Sequence, residues 1–471
     1  MSFQFSNAIW QWQLPLFGVI TLFILCVWVV RSFLSRTRNR IHSGLISSND
    51  GKRIPVIEVD VRSIKLERSH ELSQLIRDRA GTLPCLVNSG LSQYLVISQP
   101  HHIHDFYAQD YDRPTQPQNA QLGNPFGVLV PDAKGTQISQ DWNKIRIYFD
   151  PPMSFSAISQ RIPRFTREIK TWLRTLDIGL VNARLTFQFV MFRLLTLHLY
   201  EDAYDDRMYW RVLELYYLHE KAARASGTTN GIKLLSCLPL APKPIARQFH
   251  NSWRDFNRTV IENARGGKWN CPVEAIYQGV NPQHEMTEDD FLSTLGEILF
   301  TNVDICSQVF STVFTNLASN RAVQNALRLE VQHSQNVADK YIHRTDTLLH
   351  RVLQESIRVS PELSFSKPAV LQEAKTIGGY HVPPQTAVVI DARRVNSNTA
   401  TWGSDCDEWD PDRFLRVNPK DLRSGFMRYD MGAASDVIFK LTIMAILEEI
   451  SLEPVGYVEK SGNNDLNMVR L

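Results

Sequence analysis

Apolar residues run almost without interruption from Leu14 to Val30, and no charged side chain occurs before Arg31. A helix crossing a bilayer core needs about 20 apolar residues. The uncharged stretch from Ile9 to Val30 meets that length, with Trp10, Trp12 and Trp28 near its ends. Arg31, Arg36, Arg38 and Arg40 come directly after it, so the positive-inside rule places everything after the helix in the cytosol. A cleaved secretory signal would carry its basic residues ahead of the apolar run and a small-residue cleavage site behind it, and neither is present. The expected organisation is a lumenal N-terminus (1–8), a transmembrane anchor (9–30), a basic juxtamembrane linker (31–55) and one folded domain (56–471).

Past the linker the pattern changes period. Residues 85–98 read as two short strands around a Ser-Gly turn, ahead of Gln99-Pro100. From Trp142 to about Leu353 most apolar residues recur at helical spacing, with Pro-rich joints at Asp150-Pro-Pro and at 238–244. Strand character returns at Ile377-Gly-Gly-Tyr-His-Val-Pro-Pro and at 386–390. The longest helical run starts at Thr287, whose spacing to Asp290 fits a capping box, and continues through Phe291, Leu295, Ile298, Leu299 and Val303. It carries Asp304 in mid-helix, where a carboxylate between apolar turns is costly unless paired, hydrated or on a solvated face. Phe439, Ile443, Ile446, Leu447 and Ile450 predict a last helix starting near Ser435 or Asp436, both good N-caps. The expected fold is mainly α with a small β-sheet subdomain contributed from both ends of the chain.

Composition narrows the chemistry mostly by exclusion. The net charge of +2 offers no field for nucleic acid. The six cysteines, Cys26, Cys85, Cys237, Cys271, Cys306 and Cys406, form no CxxC pair, which fits a reducing compartment. His101-His102-Ile103-His104-Asp105 matches no metal-ligand spacing and reads as a loop-to-helix junction. No Walker lysine, G-x-S-x-G elbow or G-x-G-x-x-G after a strand is present.

Glu355 and Arg358 stand at i and i+3 on one helix face, a pairing that is weak evidence alone. Much more specific is the order of the motifs downstream of Glu355: Arg358-Val-Ser-Pro361, the Gly-Gly-Tyr turn, Asn396, Trp402-Gly403 and Trp409-Asp-Pro-Asp-Arg413-Phe414. This succession resembles the C-terminal half of the cytochrome P450 family, and fungal members that tailor peptide- or cyclodipeptide-derived metabolites look most similar. The resemblance implies a P450 fold behind one N-terminal transmembrane helix, haem as cofactor, and a structural triad of Glu355, Arg358 and Arg413. It also implies that Trp142 and Arg146 donate to a haem propionate, with Lys367 as a further contact. An arginine fork and an indole N–H suit a carboxylate acceptor. Asp304 matches the family's proton-relaying acid. Ile305 stands where a threonine is customary, which leaves proton delivery to Asp304 with Ser307 or water.

One part of the pattern is absent. The family's iron ligand is a cysteine just ahead of the last long helix, yet no cysteine occurs after Cys406. Here the corresponding stretch reads Phe426-Met-Arg-Tyr-Asp-Met-Gly432-Ala-Ala-Ser-Asp436. Ungapped, Asp436 falls at the ligand position; gapped, about ten residues are missing near 432–436, judged by where the helical period starts. A faulty exon boundary, a pseudo-enzyme, or another ligand such as Tyr429 or Met431 would each account for this.

The resemblance therefore implies a membrane-anchored monooxygenase of the endoplasmic reticulum with a cytosolic catalytic domain. It would take electrons from NADPH-cytochrome P450 reductase and hydroxylate, desaturate or ring-close a hydrophobic small molecule, with 111–134 and 204–250 lining the pocket. The alternative is a catalytically inactive membrane protein that keeps the scaffold as a binding or regulatory module.

Overall fold

The computed structural model describes residues 27–28, 46–48, 50–61, 64, 68–89, 92–107, 147–176, 179–228, 244–280, 286–360, 364–366, 369–371, 373–428, 432–454 and 468–470. The expected anchor lies outside them except for Val27 and Trp28, which are helical and exposed.

Two ends of the chain build one five-stranded sheet, in the order β2 (Val56–Glu58), β3 (Cys85–Ser89), β4 (Ser92–Ile97), β9 (Ala387–Ile390) and β6 (Ala369–Val370). Strands β3 and β4 form the expected hairpin, with Cys85 opposite Val96 and Leu86 opposite Leu95. Every residue of β3 is buried, as a central strand requires. Parallel pairing of β4 with β9 sets Ile97 against Ile390, joining positions almost 300 residues apart. The hairpin of β7 (Lys375–Ile377) and β8 (Tyr380–Val382) turns at Gly378 and Gly379, whose φ of 56° and 80° lie in the left-handed region that glycine alone enters freely. Strand β1 (Ser47–Ser48), inside the expected linker, pairs with β8, so the folded domain begins before residue 56.

Helices supply the rest. Those that position the site are α1 (Ser69–Ala80), α2 (Pro100–Tyr107), α3 (Ile162–Leu173), α4 (Val190–Tyr200), α5 (Asp206–Thr228) and α6 (Pro244–Arg265). Next in the chain are α7 (Glu288–Ser319), α8 (Arg321–Ser334), α9 (Leu348–Val359), α10 (Ala392–Asn396) and α11 (Gly432–Glu449), with shorter helical turns between. A three-residue strand, β5 (Leu180–Asn182), interrupts the region that the sequence reads as purely helical. It pairs with β11 (Met468–Arg470), which in turn pairs with β10 (Glu453–Pro454).

The axis of the domain is α7. Its capping box closes as the sequence indicates: the Asp290 N–H donates to Thr287 Oγ1 at 3.1 Å, and the Thr287 N–H donates to Asp290 Oδ2 at 2.9 Å. Phe291, Leu295, Leu299, Val303, Phe310 and Phe314 are all fully buried. A helix whose apolar positions are covered this completely belongs in a core. Its length and hydropathy would also pass for a membrane span, but 87% of its apolar window is covered by protein. The helix is not uniform: Glu297–Thr301 is a π-helical turn, and the α-helix resumes at Asn302. Farther along, Phe310 stacks parallel to Phe314 and meets Phe439 of α11 with ring centroids 4.6 Å apart.

Candidate functional site

Helix α9 places Glu355 and Arg358 on its inner face, where Glu355 is fully buried and Arg358 is 4% exposed. Isolated charges at such depth would be expelled; here the pairing is complete. Arg358 grips the Glu355 carboxylate with both Nε and Nη2 at 2.7 Å. Its remaining N–H groups donate to the carbonyls of Asn396, Cys406 and Glu408 at 2.8, 2.6 and 3.1 Å, so all five guanidinium donors are used. Arg413, 1% exposed, brings Nε to 3.4 Å from Glu355 Oε1 and donates to the Trp402 carbonyl at 2.7 Å and to Asp405 Oδ1 at 2.8 Å. The three charges of the expected triad thus meet in one buried cluster. The Asp405 carboxyl, hydrogen-bonded by Arg413, is held below the usual carboxylate range.

The cluster fixes the loop between α10 and the last helix, and this is where motif reading stopped short. Asn396 donates from Nδ2 to the Met427 carbonyl at 2.9 Å and accepts from the Met427 N–H at 2.7 Å. Trp402 Nε1 donates to the Gly425 carbonyl at 2.9 Å, and its ring lies under the Arg358 guanidinium carbon at 5.1 Å. Asn396 and Trp402 appear in the sequence only as spacing markers; their partners are backbone groups, which leave no side-chain signature. Together they deliver the backbone at Met427 to the edge of α11 in a defined position.

Beyond Met427 the expectation needs correction. Helix α11 starts at Gly432, not at Ser435 or Asp436, so residues 432–436 form its first turn. Asp436, the ungapped ligand position, is engaged by Arg428 in an ion pair. Nearby Lys440 is 3% exposed and donates to the carbonyls of Ile342 and Arg344, both at 2.9 Å. His350 of α9 is half-buried beside it, and that burial, with Lys440 close by, pushes its imidazole down to about 4.

The two residues expected to serve proton delivery lie on α7. Asp304 and Ser307 stand three positions apart in the first turns after the π segment, and Ser307 is fully buried. Trp142, Arg146 and Lys367, expected at the propionates, lie outside the described residues, as do Tyr429 and Met431. In α2, His102 is 1% exposed against Gly378, and Asp105 accepts the Gly378 N–H at 2.8 Å. These contacts make the histidine-rich segment a structural junction.

Whether the donors fit a thiolate-bound haem iron turns on the cysteines. Among the described residues, Cys85, Cys271, Cys306 and Cys406 are all buried, and burial raises each thiol above its ordinary value, Cys85 to about 12 and Cys306 well above the ordinary range. Cys406 directs its Sγ to the Ser397 carbonyl at 3.3 Å and sits within the triad loop. None is a ready thiolate, and the segment from Phe426 to α11 contains no cysteine at all. Among the described residues, the donor set does not fit a thiolate-ligated iron.

Comparison with known proteins agrees with the scaffold. The cytochrome P450 family model matches residues 242–427, ending at the residue that Asn396 holds. The cytochrome P450 monooxygenase opdB of Penicillium oxalicum is 44% identical over 90% of this chain and 90% of its own. The cytochrome P450 monooxygenase apdB of Emericella nidulans is 34% identical, covering 93% and 91% of the two chains, and lepD of Aspergillus flavus is 31% identical, covering 83% and 82%. With that extent of similarity around a buried Glu355–Arg358–Arg413 cluster, the chain belongs to the cytochrome P450 family of haem-dependent monooxygenases.

Proposed function

We propose that the gene encodes a monooxygenase of fungal secondary metabolism that oxidises a hydrophobic small molecule, such as a peptide- or cyclodipeptide-derived alkaloid, by hydroxylation, desaturation or ring closure. In this reading the 9–30 segment anchors the protein in the endoplasmic reticulum membrane, and NADPH-cytochrome P450 reductase supplies electrons on the cytosolic side. Asp304 and Ser307 serve proton delivery, and Trp142, Arg146 and Lys367 grip the propionates, in a form of the protein whose ligand loop is complete.

The observation that carries this reading is how confined the loss is. The triad uses every donor of Arg358, Asn396 holds the backbone up to Met427, and α11 keeps its buried face with Ile438, Phe439, Ile443 and Ile446. Drift in a gene without function would erode these contacts along with the loop. A clean excision of about ten residues, judged from where the helical period begins, removes the loop alone.

The second reading is a catalytically inactive P450-like protein, and the missing cysteine of this exact chain favours it. Reading the transcript separates the two: an in-frame, cysteine-bearing segment between Met427 and Asp436 supports the monooxygenase. Its absence from every transcript supports the inactive module. In parallel, the reduced protein is exposed to carbon monoxide: the chain as written gives no thiolate-type Soret band, and the chain with the segment restored gives one.

A further inference from the structure

Helix α10 packs against α1, and three arginines share that contact: Arg77 in the last turn of α1, and Arg393 and Arg394 of α10. Arg394 is 5% exposed and donates from Nη2 to the Gly81 carbonyl just past the end of α1, while its Nη1 has no partner. Arg77 is exposed, and its one side-chain hydrogen bond is a long one, from Nη2 to Ser397 Oγ at 3.4 Å. Arg393 is half-buried, and among the described residues its guanidinium makes neither a hydrogen bond nor an ion pair. The half-buried Ser397 hydroxyl links the two elements, because it also donates to the Arg393 carbonyl at 2.9 Å.

The neighbouring carboxylates do not neutralise this group. Asp391 is fully buried, and its oxygens are taken by Ser73 Oγ and the Arg394 N–H. The exposed Asp407 acts on Arg393 through space, without an ion pair. Asp78, next to Arg77 in the chain, accepts from Gln74 at 2.8 Å. Burial lowers Arg393 and Arg394 below the ordinary arginine range; Asp391 opposes that shift and the Arg77 charge adds to it, so the three guanidinium groups stand in one another's field. Like charges held together with one guanidinium wholly unpaired are costly, and an oxyanion is the group that relieves them.

We propose that Arg77, Arg393 and Ser397 form a binding site for a phosphate dianion, the two guanidinium groups gripping its oxygens and the hydroxyl turning to donate to it. The chemistry selects this class. An arginine fork matches a pair of phosphate oxygens, and a tetrahedral group has enough oxygens to serve two forks and a hydroxyl at once. Two negative charges answer two unpaired cations, which a single carboxylate does not. Arg394, behind them, adds positive field without contact. A soluble phosphorylated compound and the headgroup of a phosphatidic acid present this same dianion. The site uses no residue assigned to the proposed oxidation, so it stands whether or not that reading does.

The full chain in detergent is titrated calorimetrically with inorganic phosphate and, separately, with dioctanoyl phosphatidic acid; dioctanoyl phosphatidylcholine, whose phosphate is a diester, is the control. The wild type is expected to bind at least one of the first two roughly tenfold more tightly than the control. Tighter binding of phosphatidic acid than of phosphate assigns the site to a lipid headgroup, and equal or weaker binding assigns it to a soluble phosphate compound. Arg77→Gln and Arg393→Gln are each expected to weaken that binding roughly tenfold, the loss of one charge-assisted contact. Arg79→Gln, which removes the same charge two residues from Arg77, is expected to stay within about twofold. Arg77 is exposed, so its variant decides the matter even where Arg393→Gln does not fold. The site is overturned if the wild type shows no preference over phosphatidylcholine, if Arg77→Gln binds as the wild type does, or if Arg79→Gln weakens binding as much as Arg77→Gln.

Discussion

Asn396 and Met427, 31 residues apart, exchange two hydrogen bonds through one side-chain amide, at 2.9 and 2.7 Å. The amide satisfies both backbone groups of Met427 where the chain leaves the triad loop for α11. Asn396 is 2% exposed and Met427 5%, so water cannot replace either bond.

Asn396→Ala therefore leaves a buried N–H and a buried carbonyl unpaired. The expected cost is about 2 kcal/mol, read as a lower denaturant midpoint at unchanged slope. Hydrogen exchange at the Met427 amide should accelerate more than exchange within α7. Equal acceleration in both places would mean that Asn396 contributes only to global stability.

Removing Arg358 has a larger consequence. Arg358→Ala strands the Glu355 carboxylate, which is fully buried, with Arg413 Nε at 3.4 Å and the Asp410 N–H at 3.0 Å as its remaining donors. Breaking a buried pair by deleting one partner costs about 3–5 kcal/mol, a large share of a domain's stability, so the variant should not accumulate as folded protein. Arg358→Lys should fail nearly as badly, because three donors on a point charge cannot meet a carboxylate and three carbonyls. A soluble variant with native far-ultraviolet circular dichroism would show that the cluster is dispensable.

Asp391, at the junction of β9 and α10, makes stability depend on pH. Its carboxylate accepts from Ser73 Oγ at 2.8 and 3.0 Å and from the Arg394 N–H at 3.1 Å, linking α1 to the sheet. Full burial raises the carboxyl to about 6 despite Arg394 beside it. A carboxyl with a folded value above its unfolded one favours the fold while protonated. Its contribution is fully present below about 3.8 and is lost as pH rises through about 6. Between those limits the wild type should lose on the order of 3 kcal/mol from this group, and Asp391→Asn should lose none of it. Parallel pH profiles for the two proteins between pH 4 and 7 would rule this out.

Much of the fold and of the triad was legible because the signals are local or strongly constrained. Thr287 and Asp290 announce the start of α7 within four residues, and the β3–β4 hairpin shows its turn directly. Glu355, Arg358 and Arg413 carry the triad because charged side chains can be buried only in complementary sets. Other features left no trace. The strand β5 is three residues long, and its partner lies near residue 469, too far for any window to associate them. The start of α11 at Gly432 escaped because Gly-Ala-Ala has no capping residue to mark it. Asn396 and Trp402 act on backbone groups, which no side-chain pattern encodes. The π turn at Glu297–Thr301 is hidden because three consecutive apolar residues, Ile298, Leu299 and Phe300, occupy it, so a slipped register leaves no mark on the local hydrophobic pattern.

That turn has a geometric corollary. A π turn amounts to one additional residue in the winding, and each residue advances an α-helix by about 100°. Everything from Asn302 to Ser319 is consequently rotated by roughly that angle relative to an uninterrupted helix entering from Thr287. Excising a single residue within the turn would swing Ser307 and Phe310 to new azimuths, and Phe310 would no longer meet Phe439. The azimuth of the domain's central rod is thus decided by one residue of surplus length.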